Sequence, residues 1–256
     1  MPVRRPLIRP RRSLPFLHLM PNLVTIIGLS AGLTSIRYAI AERFDIAAAL
    51  ILFAALIDGL DGLLARRLNA ASGFGAELDS LSDFVSFGVA PAVLVYLMAL
   101  QGLAGLGWVF VLVFAICCCL RLARFNINRD VPPPPGTRAH FTGVPAPAGA
   151  GLALLPVFLG LEGLVAPAAY PLPVALYIGI VGALMISRLP TPSPKGLRIS
   201  RDRVGIVLVG AAIVVGLMFT RFWLLMILGV VAYWAVLIRA AAIDRRRRTH
   251  AGEGNG

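Results

Sequence analysis

The sequence predicts an all-α fold: a polytopic membrane helix bundle of about eight transmembrane helices, with both termini on the cytosolic side. Three observations lead there. Of the 256 residues, 58% are hydrophobic and only 14% charged, with a mean hydropathy of +0.84, which excludes an ordinary soluble domain. The apolar residues gather in runs long enough to cross a hydrocarbon core of about 30 Å. The basic residues fall between those runs, so a net charge of +12 reads as topology and contact with anionic lipid rather than as nucleic-acid binding.

Taken in order, residues 1–21 form a basic cytosolic arm that ends in the interfacial stretch SLPFLHLMPN, where Phe16 and Leu17 dip towards lipid. The first span, 22–41, follows arginines as a secretory signal would. No small-residue cleavage pattern ends it and many spans follow, so it is read as retained. Further spans are expected near 46–65, 84–100, 106–122, 144–166 and 172–187, which makes 22–203 a core of about six spans. VPPPPG at 131–136 cannot be helical throughout and marks a loop between the fourth and fifth.

The run 204–238 is broken by one charge, Arg221. A single helix of that length would measure about 52 Å, too long for one crossing, so a tight hairpin near Thr220 and Arg221 is expected, with two additional spans at 204–219 and 222–238. Residues 239–256 read as a basic, disordered tail. In this arrangement 21 of the 24 Lys and Arg residues lie on one side, and only Arg37, Arg43 and Arg221 on the other. That asymmetry orients a multi-pass protein of the cell (inner) membrane with the richer side in the cytosol.

Four aspartates stand out against this background: Asp58 and Asp61 at the end of the second expected span, and Asp79 and Asp83 just before the third. A carboxylate beside a membrane is costly and signals function. At 3.6 residues per turn Asp58, Asp61 and Ala65 share one helix face, and Asp79 and Asp83 lie one turn apart on another. Two such helices meeting face to face form a carboxylate pocket suited to a hard divalent cation, magnesium or manganese, carrying a phosphate. Asp58, Asp61 and Asp79 are the first choices as metal ligands, with Asp83 bridging a second metal, and one of the carboxylates is expected to serve as general base to a hydroxyl nucleophile. Gly62 and Gly75 fit either a nucleotide lying against the backbone or close helix packing. Arg66 offers a planar fork to a phosphate. Helix caps or loop charges are the plainer reading of the aspartates, and a cation transporter is the reading from another functional class. The transporter leaves the glycines, Ala65 and Arg66 at their spacing unexplained.

The full pattern is Asp58-x2-Asp61-Gly62-x2-Ala65-Arg66-x8-Gly75-x3-Asp79-x3-Asp83, and it resembles the signature of the CDP-alcohol phosphotransferase family. PNLVT near the first span, FVSFGVAPA after Asp83, RLARFNI at 121–127, FTGVPAP at 141–147 and SRLPTPSPKGLRI at 187–199 are similar to its membrane-embedded phosphatidylserine synthases. The resemblance covers most of residues 20–200. It implies CDP-diacylglycerol and L-serine as substrates, CMP as leaving product, a divalent metal, a homodimer, Asp83 as the base, and Gly62, Ala65, Arg66 and Gly75 at the CDP-diacylglycerol. Glycerophosphate-using relatives carry lysine after the fourth aspartate, where this chain has Phe84. Inositol phosphate, glycerol phosphate or choline remain the alternative acceptors within the family.

An amino-acid acceptor needs partners for its carboxylate. Arg121, Arg124 and Asn126 are placed to supply them, with Arg188 and Lys195 as rivals for that task or for a lipid phosphate. For the charged residues, setting topology is the competing reading. The H-x-K-x4-D motif of unrelated phospholipase-D-type synthases is absent, which leaves direct attack at the metal site. The consecutive Cys117, Cys118 and Cys119 are expected to pack as small apolar residues, and His18, His140 and His250 form no zinc set.

Overall fold

A computed structural model describes residues 20–67, 73–129, 141–187, 190–191 and 204–253. The arm at 1–19, the proline loop at 131–136, Arg188 and Lys195 lie outside the described residues. The described residues are helical apart from short turns and a ribbon of two two-residue strands. Among the described residues, five helices are long and apolar enough to cross a membrane: Met20–Ile40, Phe44–Leu64, Gly73–Leu103, Gly105–Ile127 and Phe222–Ala242.

Helix α1 (Met20–Ile40) has Pro21 in its first turn, where a missing N–H costs nothing. A turn with Glu42 at φ 58° reverses the chain into α2 (Phe44–Arg67), and the pair packs antiparallel with Ser35 Oγ donating to Ala47 O at 2.9 Å. The contact faces are made of small residues, among them Ala31, Ala39, Ala47, Ala48 and Ala54, while Leu23, Ile27 and Leu56 point outwards. Helices surrounded by lipid gain little from burying large apolar groups and much from close backbone approach, which explains the inversion.

The third span is longer than expected. Helix α3 (Gly73–Asp83) runs without a break into a π-helical turn (Phe84–Val89), then α4 (Ala90–Val95), a second π turn (Tyr96–Leu100) and a short 3-10 turn (Gln101–Leu103). The last two aspartates and the expected span 84–100 therefore belong to one rod of 31 residues. The first π turn is seen in Ala90 N–H donating to Val85 O. Gly32 of α1 lets this rod close in: a Cβ there would stand 2.9 Å from Ser86 Cα.

Helix α5 (Gly105–Arg129) packs along α8 (Pro171–Ile186), where Gly182 brings the two backbones together; its Cβ would sit 3.3 Å from Phe114 Cα. Cys117 and Cys118 are buried in this region as free thiols, and Cys119 is exposed. The expected span 144–166 divides at Leu154 into α6 (Ala146–Ala153) and α7 (Leu155–Leu161), neither long enough to cross alone. Pro156 causes the division, since it has no N–H to give the carbonyl of Leu152 four residues back. Tyr177 Oη of α8 donates to that carbonyl instead, at 2.8 Å.

A ribbon of β1 (Phe141–Thr142) and β2 (Pro190–Thr191) pairs antiparallel, Phe141 opposite Thr191. Between β1 and α6, Gly143 adopts φ +86°, and a Cβ there would stand 2.7 Å from Met185 O and 2.8 Å from Ser187 O. Only glycine fits that backbone.

The break expected at Thr220 and Arg221 is present. Arg221 alone separates α9 (Val204–Thr220) from α10 (Phe222–Glu253): its N–H ends α9 on Leu217 O, and its carbonyl accepts Leu225 N–H to open α10. From Val209 to Thr220 every residue except Leu217 is exposed, so this part of α9 buries little of its surface. Helix α10 docks on the core through the stack of Trp223 on Phe158 (5.9 Å) and through Trp234 Nε1, which donates to Tyr177 Oη at 3.2 Å. Its backbone stays helical through 239–253, where the sequence predicted a disordered tail; the run RAAAID and the arginines that follow are good helix formers.

Candidate active site

Three helices meet at one end of the bundle, and each contributes a stripe at helical spacing. From α2 come Ala54, Ile57, Asp58 and Asp61. The rod that begins with α3 gives Asp79, Ser82, Asp83, Ser86 and Phe87, and α1 gives Thr25 and Gly28. Together they line a tight cleft of about 10 Å³, far below the 300–1,000 Å³ of a typical small-molecule pocket. The cleft is thus a place for ions and reacting groups, and a nucleotide would extend beyond it.

Asp58, Asp61 and Asp79 each present a carboxylate oxygen, all within 4.8 Å of one another. Oxygens sharing one hard cation at 2.0–2.6 Å lie up to about 4–5 Å apart, and carboxylates are the donors such a cation prefers. The trio therefore fits a divalent metal. Asp61 is only 6% exposed, and a buried carboxylate requires partners. One is Thr25, whose Oγ1 donates to Asp61 Oδ2 at 3.0 Å. Asp83 stands beside Asp58, close enough for the two carboxyl groups to hydrogen-bond, and outside the trio.

The other residues singled out in the sequence divide into three groups. Gly62 and Gly75 are half-buried, on α2 and in the first turn of α3. Ala65 and Arg66 occupy the last turn of α2; their side chains lie outside the described residues. At the end of α5, Arg121 feels the charges of Asp58 and Asp83, and its buried Nε has no hydrogen-bond partner among the described residues. Asn126 Oδ1 accepts from Ser80 Oγ at 3.0 Å, tying α5 to α3. Arg124 Nη1 donates to Ile186 O at 2.7 Å and Nη2 to Ser187 O at 3.3 Å, so it caps the C-terminus of α8.

RLARFNI, FTGVPAP and the described part of SRLPTPSPKGLRI thus converge on one another beside the aspartates. Thr25, Ser82 and Ser86 were missed in the sequence. The serines were recoverable from periodicity, since they recur with Asp79 and Asp83 at helical intervals. Thr25 sits in PNLVT, a stretch noted only for its resemblance.

The family model described as CDP-alcohol phosphatidyltransferase matches residues 18–185. The chain is 50% identical over 144 residues to the CDP-diacylglycerol–serine O-phosphatidyltransferase of Mycobacterium leprae, covering 56% of this chain and 48% of that protein. It is 36% identical over 190 residues to the protein of the same name in Helicobacter pylori strain J99 (71% and 75% covered). A protein of that name in Bacillus subtilis is 35% identical over 178 residues (69% and 91%). The chain spans about half the length of the mycobacterial relatives it matches.

Proposed function

Because this chain belongs to the CDP-alcohol phosphatidyltransferase family, we propose that it moves a phosphatidyl group from CDP-diacylglycerol to L-serine, giving phosphatidylserine and CMP. The observation that carries the reading is the convergence of Asp58, Asp61 and Asp79 in one cleft, with Asp83 at its side and outside the ligand trio. Asp58, Asp61 and Asp79 hold the cation, magnesium or manganese. When bound, that cation neutralises the diphosphate oxygens and makes phosphorus open to attack.

Asp83 takes the proton from the serine hydroxyl, whose oxygen bonds to the phosphorus that carries diacylglycerol; the bond from that phosphorus to the CMP oxygen breaks. Gly62 and Gly75 lie along the nucleotide, with Ala65 and Arg66 at the diphosphate end. Arg121 receives the serine carboxylate: a buried guanidinium nitrogen with no partner among the described residues is a donor suited to one. Arg124 and Asn126 shape that subsite through α8 and α3. Arg188 and Lys195 are assigned to a lipid phosphate.

The cleft opens to the cytosol of a multi-pass inner-membrane protein built from a core at 22–203 and two further C-terminal spans. Two of the three basic residues at the opposite end are neutralised, Arg43 by Asp45 at 3.3 Å and Arg221 by Glu162 at 2.7 Å. That leaves the other end as the positive one. The working unit is a homodimer, which cross-linking in native membranes tests. Release of CMP from radiolabelled CDP-diacylglycerol, measured against serine, inositol phosphate, glycerol phosphate and choline, tests the activity. Turnover with another acceptor and none with serine would replace serine, and ion flux without CMP release would replace the enzyme by a transporter.

A further inference from the structure

Among the hydroxyls in the cleft that the proposed chemistry does not use, that of Thr25 is hydrogen-bonded to a carboxylate. Thr25 of α1 is 5% exposed, and its Oγ1 lies 3.0 Å from Asp61 Oδ2 and 3.0 Å from Pro21 O. A threonine hydroxyl has one proton, so it can donate to only one of these acceptors at a time. Pro21 O is already the acceptor of the Thr25 backbone N–H in the helix, and loses nothing when the hydroxyl turns away. An ionised carboxylate is the stronger acceptor by about twofold. With Asp61 charged, the proton points at Oδ2, which fixes the carboxylate plane and leaves Oδ1 for the cleft.

Helix α1 is itself held in place: Ser82 Oγ donates to Thr25 O and Ser86 Oγ to Gly28 O, both at 3.4 Å, and Gly32 admits Ser86 against the α1 backbone. From this geometry we infer that Thr25 is a positioning residue for the metal site, orienting Asp61 from a helix that carries no carboxylate of its own. The inference rests on the proposed assignment of Asp61 as a ligand.

Supporting partners of this kind are worth roughly ten- to a hundredfold in metal affinity. The test is Mn²⁺ binding to the purified full-length protein in nanodiscs, followed by electron paramagnetic resonance, with no substrate present. Thr25→Val keeps the shape and removes the donor, and should weaken Mn²⁺ by about tenfold or more. Thr25→Ser keeps the donor and should stay within about threefold of the parent. Thr25→Ala serves where valine disturbs folding, and a thermal melt in chelator verifies that each variant is intact. Parent-like Mn²⁺ affinity in a folded Thr25→Val or Thr25→Ala overturns the inference, as does a serine variant as weak as valine. Absence of Mn²⁺ binding by the parent overturns the metal reading itself, a different result from either.

Discussion

At the scale of single residues, the site depends on carboxylates that have few substitutes. Asp58→Asn, Asp61→Asn and Asp79→Asn should each abolish CMP release while the folded protein persists in the membrane, and chelator should silence the parent until Mg²⁺ or Mn²⁺ is restored. Asp83→Asn should differ: it keeps an acceptor oxygen and the metal trio, so CDP-diacylglycerol and metal should still bind while kcat falls by about 10²–10⁴. Calorimetric titration separates the two behaviours, and joint loss of binding and turnover would make Asp83 a metal bridge. The arginines divide in a similar way. Arg121→Ala should raise the serine KM by about ten- to a hundredfold, the worth of a charged hydrogen bond. Arg124→Ala uncovers the carbonyls of Ile186 and Ser187 and should lower thermal stability as well. The aspartates were legible in the sequence because their spacing is local, two faces on two helices. The cap made by Arg124 was not, since its partners lie some sixty residues on and only tertiary packing brings them to α5.

At the scale of elements, apolar runs located the helices, and single prolines and wide turns decided their form. The fifth expected span failed as one helix for a reason present in the sequence, Pro156, whose effect was outweighed in the reading by the length of the apolar run. What the sequence could not show is the remedy, a hydroxyl on α8 that takes up the carbonyl of Leu152 and in turn accepts Trp234 of α10. Tyr177→Phe removes that donor and should cost about 1–3 kcal/mol, read as a lower melting temperature with an unchanged serine KM. Equal melting curves would mean that the break between α6 and α7 stands without it. The π turn directly after Asp83 was also hidden, because no residue type announces it. Such wide turns recur at functional sites, and here one follows directly on the carboxylates.

For the whole molecule, charge gives an orientation that thiol labelling can check. In a background with the three cysteines replaced by alanine, Glu42→Cys, in the exposed turn between α1 and α2, should react with an impermeant reagent on intact cells. Glu77→Cys, exposed on α3, should react only after permeabilisation. The reverse pattern would place the cleft outside the cell. The number of crossings was only partly legible, since hydropathy marks apolar length but not which helices divide or lie exposed, as α6, α7 and α9 do. The cleft itself draws on three helices that follow one another directly along the chain. A ribosome that has released Phe87 has delivered every side chain lining the cleft, whereas the ribbon beside it must wait for Thr191. Vectorial synthesis therefore supplies the half of the protein that would hold an ion before the half that would receive the acceptor.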